Sequence, residues 1–332
     1  MRILKDATPR NKEFETLVSL NETDLKTYLK TKVANRGGTV ISDDGYLFYK
    51  GGFPVLLCAH MDTVHDKEPT TIVYANGTIS SPQGIGGDDR CGIYMILKIL
   101  KRYDCSVLFL EDEEIGCVGA KKFARTELAR SLEKEEKLKY IIEFDRKGNN
   151  HAVFYDCDNP NFTKFITQGF FKKETGTCSD ISYIAPALGI AAVNLSCGYY
   201  HEHYIDHYVN LAEMEKVIEE AIGLLDKTSE VERFKYVRGN SYSYNNYYGR
   251  YYDNYDGYDY GYGYGYGYGR SYYSKKYFFK FLLTENRTQY IRETFIKGNE
   301  IEECFYKFFK EYPSVCYNDV LAHGWFEDNK SY

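Results

Sequence analysis

The residues best able to do chemistry in this chain share one context, because several acidic and histidine side chains each follow a short apolar run. His60-Met61-Asp62 follows PVLLCA, Glu113-Glu114 follows SVLFL, Asp145 follows YIIEF, and the histidines of HEHYIDH come soon after IAAVNL. Such runs suit strands buried on both faces. In an open α/β sheet the carboxyl ends of the strands line the crevice where ligands bind, so four strand ends would converge at one edge. Carboxylates gathered there repel one another unless something positive sits among them, and a metal is the natural counter-charge. Two histidines and three carboxylates suit two divalent ions sharing a bridging carboxylate, at the separation of about 3.5–4 Å typical of two-metal hydrolases. Within HEHYIDH, His201, His203 and His207 can each reach a metal from a loop. Taken singly, an Asp-Asp before a helix is commonly a cap and a Glu-Glu a solvated face; the joint order gives the pattern its weight.

The elements that must position these groups can be read from periodicity. Phe14, Leu17, Val18, Leu25, Tyr28 and Leu29 recur at helical spacing, with Asn21-Glu22-Thr23-Asp24 as a capped restart, which predicts two short helices. GTVISDDGYLFYKGG reads as a hairpin turning at Asp44-Gly45, and Asn76-Gly77 between TIVYA and TIS as another. Helices are expected after Asp88, over Cys117–Leu128, over Ser179–Leu188 and over Leu211–Leu225. The alternation is βαβα. It predicts an α/β fold with a mostly parallel, twisted central sheet and helices on both faces.

Composition narrows the function classes. The chain has 332 residues and a formal net charge of -6, which gives no electrostatic reason to expect nucleic acid or an anionic membrane as partner. No apolar run approaches the ~20 residues that span a bilayer, and the first residues lack a signal peptide's apolar core, so a cytoplasmic protein is expected. The nine cysteines are scattered without a CxxC pair, which fits free thiols in a reducing compartment.

Organisation changes near the end of the last expected helix. Residues 1–230 would form the catalytic domain. Residues 236–274 form a Tyr/Gly-rich low-complexity linker: of 35 tyrosines, 17 lie between Tyr236 and Tyr277. This tract lacks the aliphatic residues of a core, is expected to be disordered, and offers aromatic rings for self-association. Residues 275–332 regain helical periodicity, predicting a small helical C-terminal appendage.

CAHMDTV, GIGGDDRCG, DEEIGCVGA, FDRKG and GYYHEH resemble, in order, the motifs of the co-catalytic zinc exopeptidases, a group that includes tripeptidase, glutamate carboxypeptidase, acylase and bacterial aminopeptidase families. The resemblance runs over roughly Pro54 to Leu225. It implies that His60 and Asp145 ligate one metal, Glu114 and His203 the other, and that Asp88 bridges them. Glu113 is implied as the general base and Asp62 as the group orienting His60. The resemblance further implies a cis Asp88-Asp89 peptide and two divalent ions, zinc (Zn2+) by default, with cobalt or manganese able to take the same ligands. The relatives' final ligand lies five residues after a glycine like Gly198, which selects His203; where this chain has His207 they commonly carry an acid. Asp180 falls in a related segment and is expected to cap the following helix. Cys58, Cys91 and Cys117 flank the motifs and are expected as small buried residues.

Many members insert a lid domain between the first His and the bridging Asp, or between the later Asp and the final His. The intervals His60–Asp88 and Asp145–His203 leave no room for one, as in the compact aminopeptidases. Hydrolysis of a peptide bond by a two-metal-activated water is thus implied, with a peptide or an N-acyl amino acid as substrate and an aminopeptidase as the first choice. A carboxypeptidase or N-acyl-amino-acid deacylase is the alternative, since specificity sits in pocket contacts. A third, non-catalytic reading is a scaffold that self-associates through the Gly-Tyr tract.

Overall fold

The computed structural model describes residues 1–65, 67–135, 137–204 and 206–239. A short strand, β1 (Arg2–Lys5), precedes the two expected helices, α1 (Lys12–Val18) and α2 (Glu22–Ala34). Each helix starts on an asparagine whose side-chain oxygen accepts from a backbone N–H three residues on: Asn11 from Phe14 and Asn21 from Asp24. Strands β2 (Thr39–Asp43) and β3 (Tyr46–Lys50) form the hairpin at Asp44-Gly45, and β4 (Phe53–His60) ends on His60. Then β5 (Thr71–Ala75) and β6 (Thr78–Ser80) pair around Asn76-Gly77, where φ is +53° and +78°, the left-handed values that a two-residue turn of this type needs.

Helix α3 (Gly87–Ile99) leads into β7 (Cys105–Leu110). The helix expected over Cys117–Leu128 is broken in two, α4 (Val118–Phe123) and α5 (Glu127–Lys134), because the Thr126 hydroxyl accepts from Ala129 N–H and starts a new helix. Next come β8 (Tyr140–Arg146), β9 (His151–Val153), α6 (Pro160–Thr167), β10 (Lys172–Glu174) and α7 (Ile181–Leu188). The described part closes with β11 (Ala192–Ser196), β12 (Tyr199–Tyr200), β13 (Tyr208–Asn210) and α8 (Leu211–Asp226).

Eight strands make the main sheet in the order β10-β9-β11-β8-β4-β7-β3-β2. Its centre, β11-β8-β4-β7, is parallel as expected, while β3 runs antiparallel to β7 and β9 antiparallel to β11. Side chains alternate between faces along β4. Val55, Leu57 and Ala59 join a core shared with α1, α2, α3 and α8, and Leu56 and Cys58 join one shared with α4, α5 and α7. Helices therefore cover both faces. Helix α3 lies so close to β8 that a Cβ at Gly92 would sit 2.0 Å from the Phe144 carbonyl oxygen.

A second sheet, β1-β5-β6-β13-β12, was not expected. Its strands have two to five residues, too few for a periodic signal, and it joins distant stretches of chain. The hairpin β5–β6 fills the interval from His60 to Asp88, and β9, α6, β10, α7, β11 and β12 fill that from Asp145 to His203, so neither holds a separate lid. The expected linker from 240 onward and the helical appendage at 275–332 lie outside the described residues. Among the described residues no helix is long and apolar enough to cross a membrane.

Candidate metal centre

Parallel register sets the site. His60 pairs with Leu110, so the end of β4 and the loop after β7, which carries Glu113 and Glu114, emerge side by side, and Asp145 emerges from β8 on the other flank of β4. Asp88 enters from the first turn of α3, where Asp88 and Asp89 have non-helical backbone angles and a cis peptide joins them. His203 arrives from the loop between β12 and β13, with φ at +67°.

These side chains converge. His60 Nε2 lies 3.1 Å from Asp88 Oδ1 and 3.5 Å from Asp145 Oδ1. His203 Nε2 lies 3.4 Å from Asp88 Oδ2 and 3.0 Å from Glu114 Oε2. The two oxygens of Asp88 thus face two different imidazoles. His60, Asp88 and Glu114 have ligand-capable atoms within 4.8 Å of one another, and so do His60, Asp89 and Asp145. Asp89 is nevertheless a poor ligand, because its oxygens accept from the backbone N–H groups of His60 at 3.3 Å and Gly92 at 2.9 Å. Of the other histidines in the loop, His201 Nδ1 faces Asp206 Oδ2 at 3.3 Å, and His207 is fully buried with neither ring nitrogen hydrogen-bonded. Burial pushes the His207 imidazole down to about 3, so it is neutral.

Asp62 organises the two loops. One oxygen accepts from His60 Nδ1 at 3.0 Å and from Glu113 N–H at 3.0 Å, and the other from Glu114 N–H at 3.0 Å. This fixes the His60 tautomer with the proton on Nδ1 and the Nε2 lone pair turned toward Asp88 and Asp145. Asp145 is held in turn by the Ser179 hydroxyl at 3.0 Å and the Tyr199 hydroxyl at 3.3 Å, and its backbone N–H donates to Asn194 Oδ1.

Charge is crowded here. Hydrogen bonds that Asp88 and then Glu114 accept from it raise the His203 imidazole to about 11. Burial alone would lower His60, but its hydrogen bonds with Asp145, Asp62 and Asp88 outweigh this and hold it well above its usual value. Burial would raise Asp88, yet the two histidines hold its carboxyl well below the usual range. Glu113, with no such partner, is pushed up to about 9 by burial and by the charges of Asp145, Asp180 and Glu114.

Several of these residues escaped sequence reasoning. Glu143 lies buried inside the apolar strand β8 and accepts from the Ser179 hydroxyl at 2.6 Å; a lone acid within YIIEF was the available signal. Asn194, likewise inside an apolar strand, donates to the Asp145 carbonyl and the Tyr155 hydroxyl. Asp180 needs correction: it occupies the N-cap position of α7, but its side chain makes no capping bond, and both oxygens are buried without a hydrogen-bond partner. Cys58, Cys91 and Cys117 are buried as expected.

The donor set fits divalent metal ions. Two imidazole nitrogens and the carboxylates of Asp88, Glu114 and Asp145 offer nitrogen and oxygen donors that zinc accepts, and Glu114 Oε1 is buried without a hydrogen-bond partner. Ions bound here would displace the protons that the crowded acids and histidines otherwise retain.

The geometry agrees with comparison to known proteins. Residues 50–210 match Peptidase family M28. No curated protein matches the sequence. Solved structures of similar fold include aminopeptidase PepT from Bacillus cereus ATCC 10987, with 16% identity and a TM-score of 0.53 over 66% of this chain and 97% of that one. A tripeptidase from Staphylococcus aureus has 15% identity and a TM-score of 0.52 over 66% of this chain and 98% of its own. At such identities the likeness speaks for the fold, and the family match speaks for the chemistry of the site. Over residues 50–210 the chain is thus similar to Peptidase family M28, and this match, on a fold shared with known peptidases, supports a metallo-exopeptidase hydrolase of the co-catalytic zinc exopeptidase-like group.

Proposed function

We propose that the chain hydrolyses peptide bonds as a two-metal exopeptidase of aminopeptidase type, with zinc as the default ion. The observation that carries this reading is the Asp88 carboxylate, one oxygen turned to His60 Nε2 and the other to His203 Nε2. His60, Asp145 and Asp88 would hold one ion, and Glu114, His203 and Asp88 the other. Such ions supply Lewis acidity, polarising the scissile carbonyl and lowering the pKa of a water molecule.

The remaining work falls to the chain. Glu113 accepts the proton of the attacking water and delivers it to the leaving nitrogen. Its backbone N–H is anchored on Asp62, which also orients His60, so base and ligand are positioned by one carboxylate. Ser179 donates to the carboxylates of Glu143 and Asp145, a positioning role that leaves it no part as nucleophile. The names of the two structural neighbours, an aminopeptidase and a tripeptidase, support cleavage from a chain end.

The test is hydrolysis by the purified full-length protein, supplied with zinc, cobalt or manganese, of free-amine peptides, N-acetylated peptides and N-acyl amino acids. Release of N-terminal residues from free-amine substrates alone is expected. Cleavage confined to N-acyl amino acids or to C-terminal residues would move the assignment to a deacylase or carboxypeptidase. No cleavage with any of the three metals would overturn the enzyme reading in favour of a scaffold.

A further inference from the structure

A cavity of about 230 Å³ lies beside the metal centre without belonging to it. It is enclosed by the turn between α1 and α2, the loop after β4, the loop that leads into α3 and the first turn of α3. None of the residues placed as metal ligands lines it, nor does Glu113. Asp62 stands between the two: its carboxylate accepts from His60 at 3.0 Å, while its backbone carbonyl accepts from Arg90 at 3.4 Å. The space equals about seven water molecules at ~30 Å³ each, or one amino acid with a mid-sized side chain.

Polar groups short of partners collect there. Arg90 is 3% exposed, and its guanidinium donates only to backbone carbonyls, those of Leu20 at 3.2 Å, Met61 and Asp62. These three bonds leave two of its five N–H groups uncommitted. Glu22 Oε1 and Thr63 Oγ1, on other walls of the cavity, are both buried without a hydrogen-bond partner. Among the described residues neither Arg90 nor Glu22 has an ion-pair partner within 4.0 Å. Buried polar groups in a folded chain are nearly always paired, so two unpaired oxygens and a half-used guanidinium around one cavity mark it as shaped for a polar occupant. The rest of the wall includes Val18, Pro69 and Ile85, all buried and apolar. Lys67 and Glu68, on the exposed edge, carry opposite charges and leave the balance as it is.

We propose that this cavity binds a free α-amino acid with an apolar side chain, its carboxylate on Arg90, its ammonium on Glu22 and its side chain against Val18, Pro69 and Ile85. The binding itself does not depend on the peptidase assignment; only the supply of such an amino acid as the chain's own product rests on that reading.

The occupant follows from what each wall lacks. A guanidinium with spare N–H groups calls for an acceptor, and a carboxylate offers two oxygens in a matching plane. A carboxyl oxygen without a donor calls for an N–H, and an ammonium brings three together with the opposite charge. Arg90 and Glu22 stand too far apart to neutralise each other directly, so a zwitterion fits between them. A simple anion would leave Glu22 unpaired and a simple amine would leave Arg90 unpaired, and an unpaired charge enclosed with a ligand is costly. The Thr63 hydroxyl can donate to the carboxylate or accept from the ammonium. Apolar walls with a few converging polar groups are the usual build of a small-molecule site.

The experiment is isothermal titration calorimetry of the full-length, zinc-saturated protein with L-leucine, repeated on Asp88→Ala to separate this cavity from the metal centre. Wild type and Asp88→Ala should bind L-leucine equally tightly at the cavity. L-leucine amide lacks the carboxylate and 4-methylpentanoate lacks the ammonium, and each should bind about tenfold or more weakly, the scale of one lost charge-assisted bond. Glu22→Gln, which keeps the shape of the side chain, should weaken L-leucine about tenfold or more and bring it to the level of 4-methylpentanoate. No binding of L-leucine up to about 10 mM, or L-leucine amide binding as tightly as L-leucine, would overturn the proposal. Binding that is lost in Asp88→Ala and kept in Glu22→Gln would place the amino acid at the metal centre and overturn it as well. Peptide hydrolysis is measured separately, so the cavity and the peptidase reading can each fail alone.

Discussion

Replacing Asp62 with asparagine preserves the shape of the side chain and removes one acceptor. The carboxylate accepts three bonds, from His60 Nδ1 and from the N–H groups of Glu113 and Glu114, each at 3.0 Å. An amide offers a single acceptor oxygen. If that oxygen keeps His60 and Glu113, the amide NH2 faces the Glu114 N–H, donor against donor. One charge-assisted bond is then lost outright, about 1.5–3 kcal/mol, and the other two weaken because the acceptor is neutral. Loss of such support for a metal-bound histidine typically lowers metal affinity by about 10–100-fold, or about 1.4–2.7 kcal/mol, and the two figures agree. Titrating metal-free protein with zinc against a competing chelator measures the affinity. Asp62→Asn should bind about 10–100-fold more weakly and release its metal faster. Affinity within a factor of about two of wild type would refute the idea that Asp62 orients His60 and the two glutamates.

Other outcomes follow from the same geometry. Glu113→Gln should retain its metal and lose roughly 10²–10⁴ in kcat, and a rate within about threefold of wild type would remove Glu113 from the mechanism. Glu22 is half-buried, and burial together with the charges of Asp62, Asp112 and Glu111 raises its carboxyl from 4.5 to about 7. The folded chain holds this proton more tightly than the unfolded one. Its contribution to stability is therefore full below pH 4.5 and declines as pH rises to about 7. Glu22→Gln should remove that decline and gain roughly 1 kcal/mol at about pH 8, after discounting for solvent screening. Urea unfolding across the pH range tests this, and parallel curves for the two proteins would contradict it. Gly92→Ala forces a Cβ to within 2.0 Å of the Phe144 carbonyl oxygen, so α3 must leave β8. A loss of about 3 kcal/mol or more is expected, and an unchanged melting temperature would contradict the packing described.

How much of this was legible in the sequence depended on whether the signal was local. PVLLCA, SVLFL, YIIEF and IAAVNL became the four central strands because a short, mostly apolar run bounded by polar residues has few other solutions in a domain of this size. Asn76-Gly77 specified its hairpin through the two positive φ values it tolerates. That His60, Asp88, Glu114, Asp145 and His203 come together could be expected because each is tied to a strand end or helix start or carries a family motif. What could not be read was non-local or weakly patterned. Strand β10, Lys172-Lys173-Glu174, is wholly exposed, and β1 pairs with a hairpin more than sixty residues away. The bonds joining Glu143, Ser179, Asn194 and Asp145 depend on how separate loops pack. Asp180 misled because the residue before a helix is commonly its cap, and here the carboxylate stays buried and uncapping.

Metal content tests the central claim most directly. Plasma mass spectrometry on wild-type protein and on Asp88→Ala, each saturated with zinc and desalted, should find about two ions per wild-type chain, and less than one in the variant because both positions share the lost carboxylate. Wild type that binds no zinc, cobalt or manganese, or an Asp88→Ala protein that keeps both ions, would contradict a centre built around Asp88.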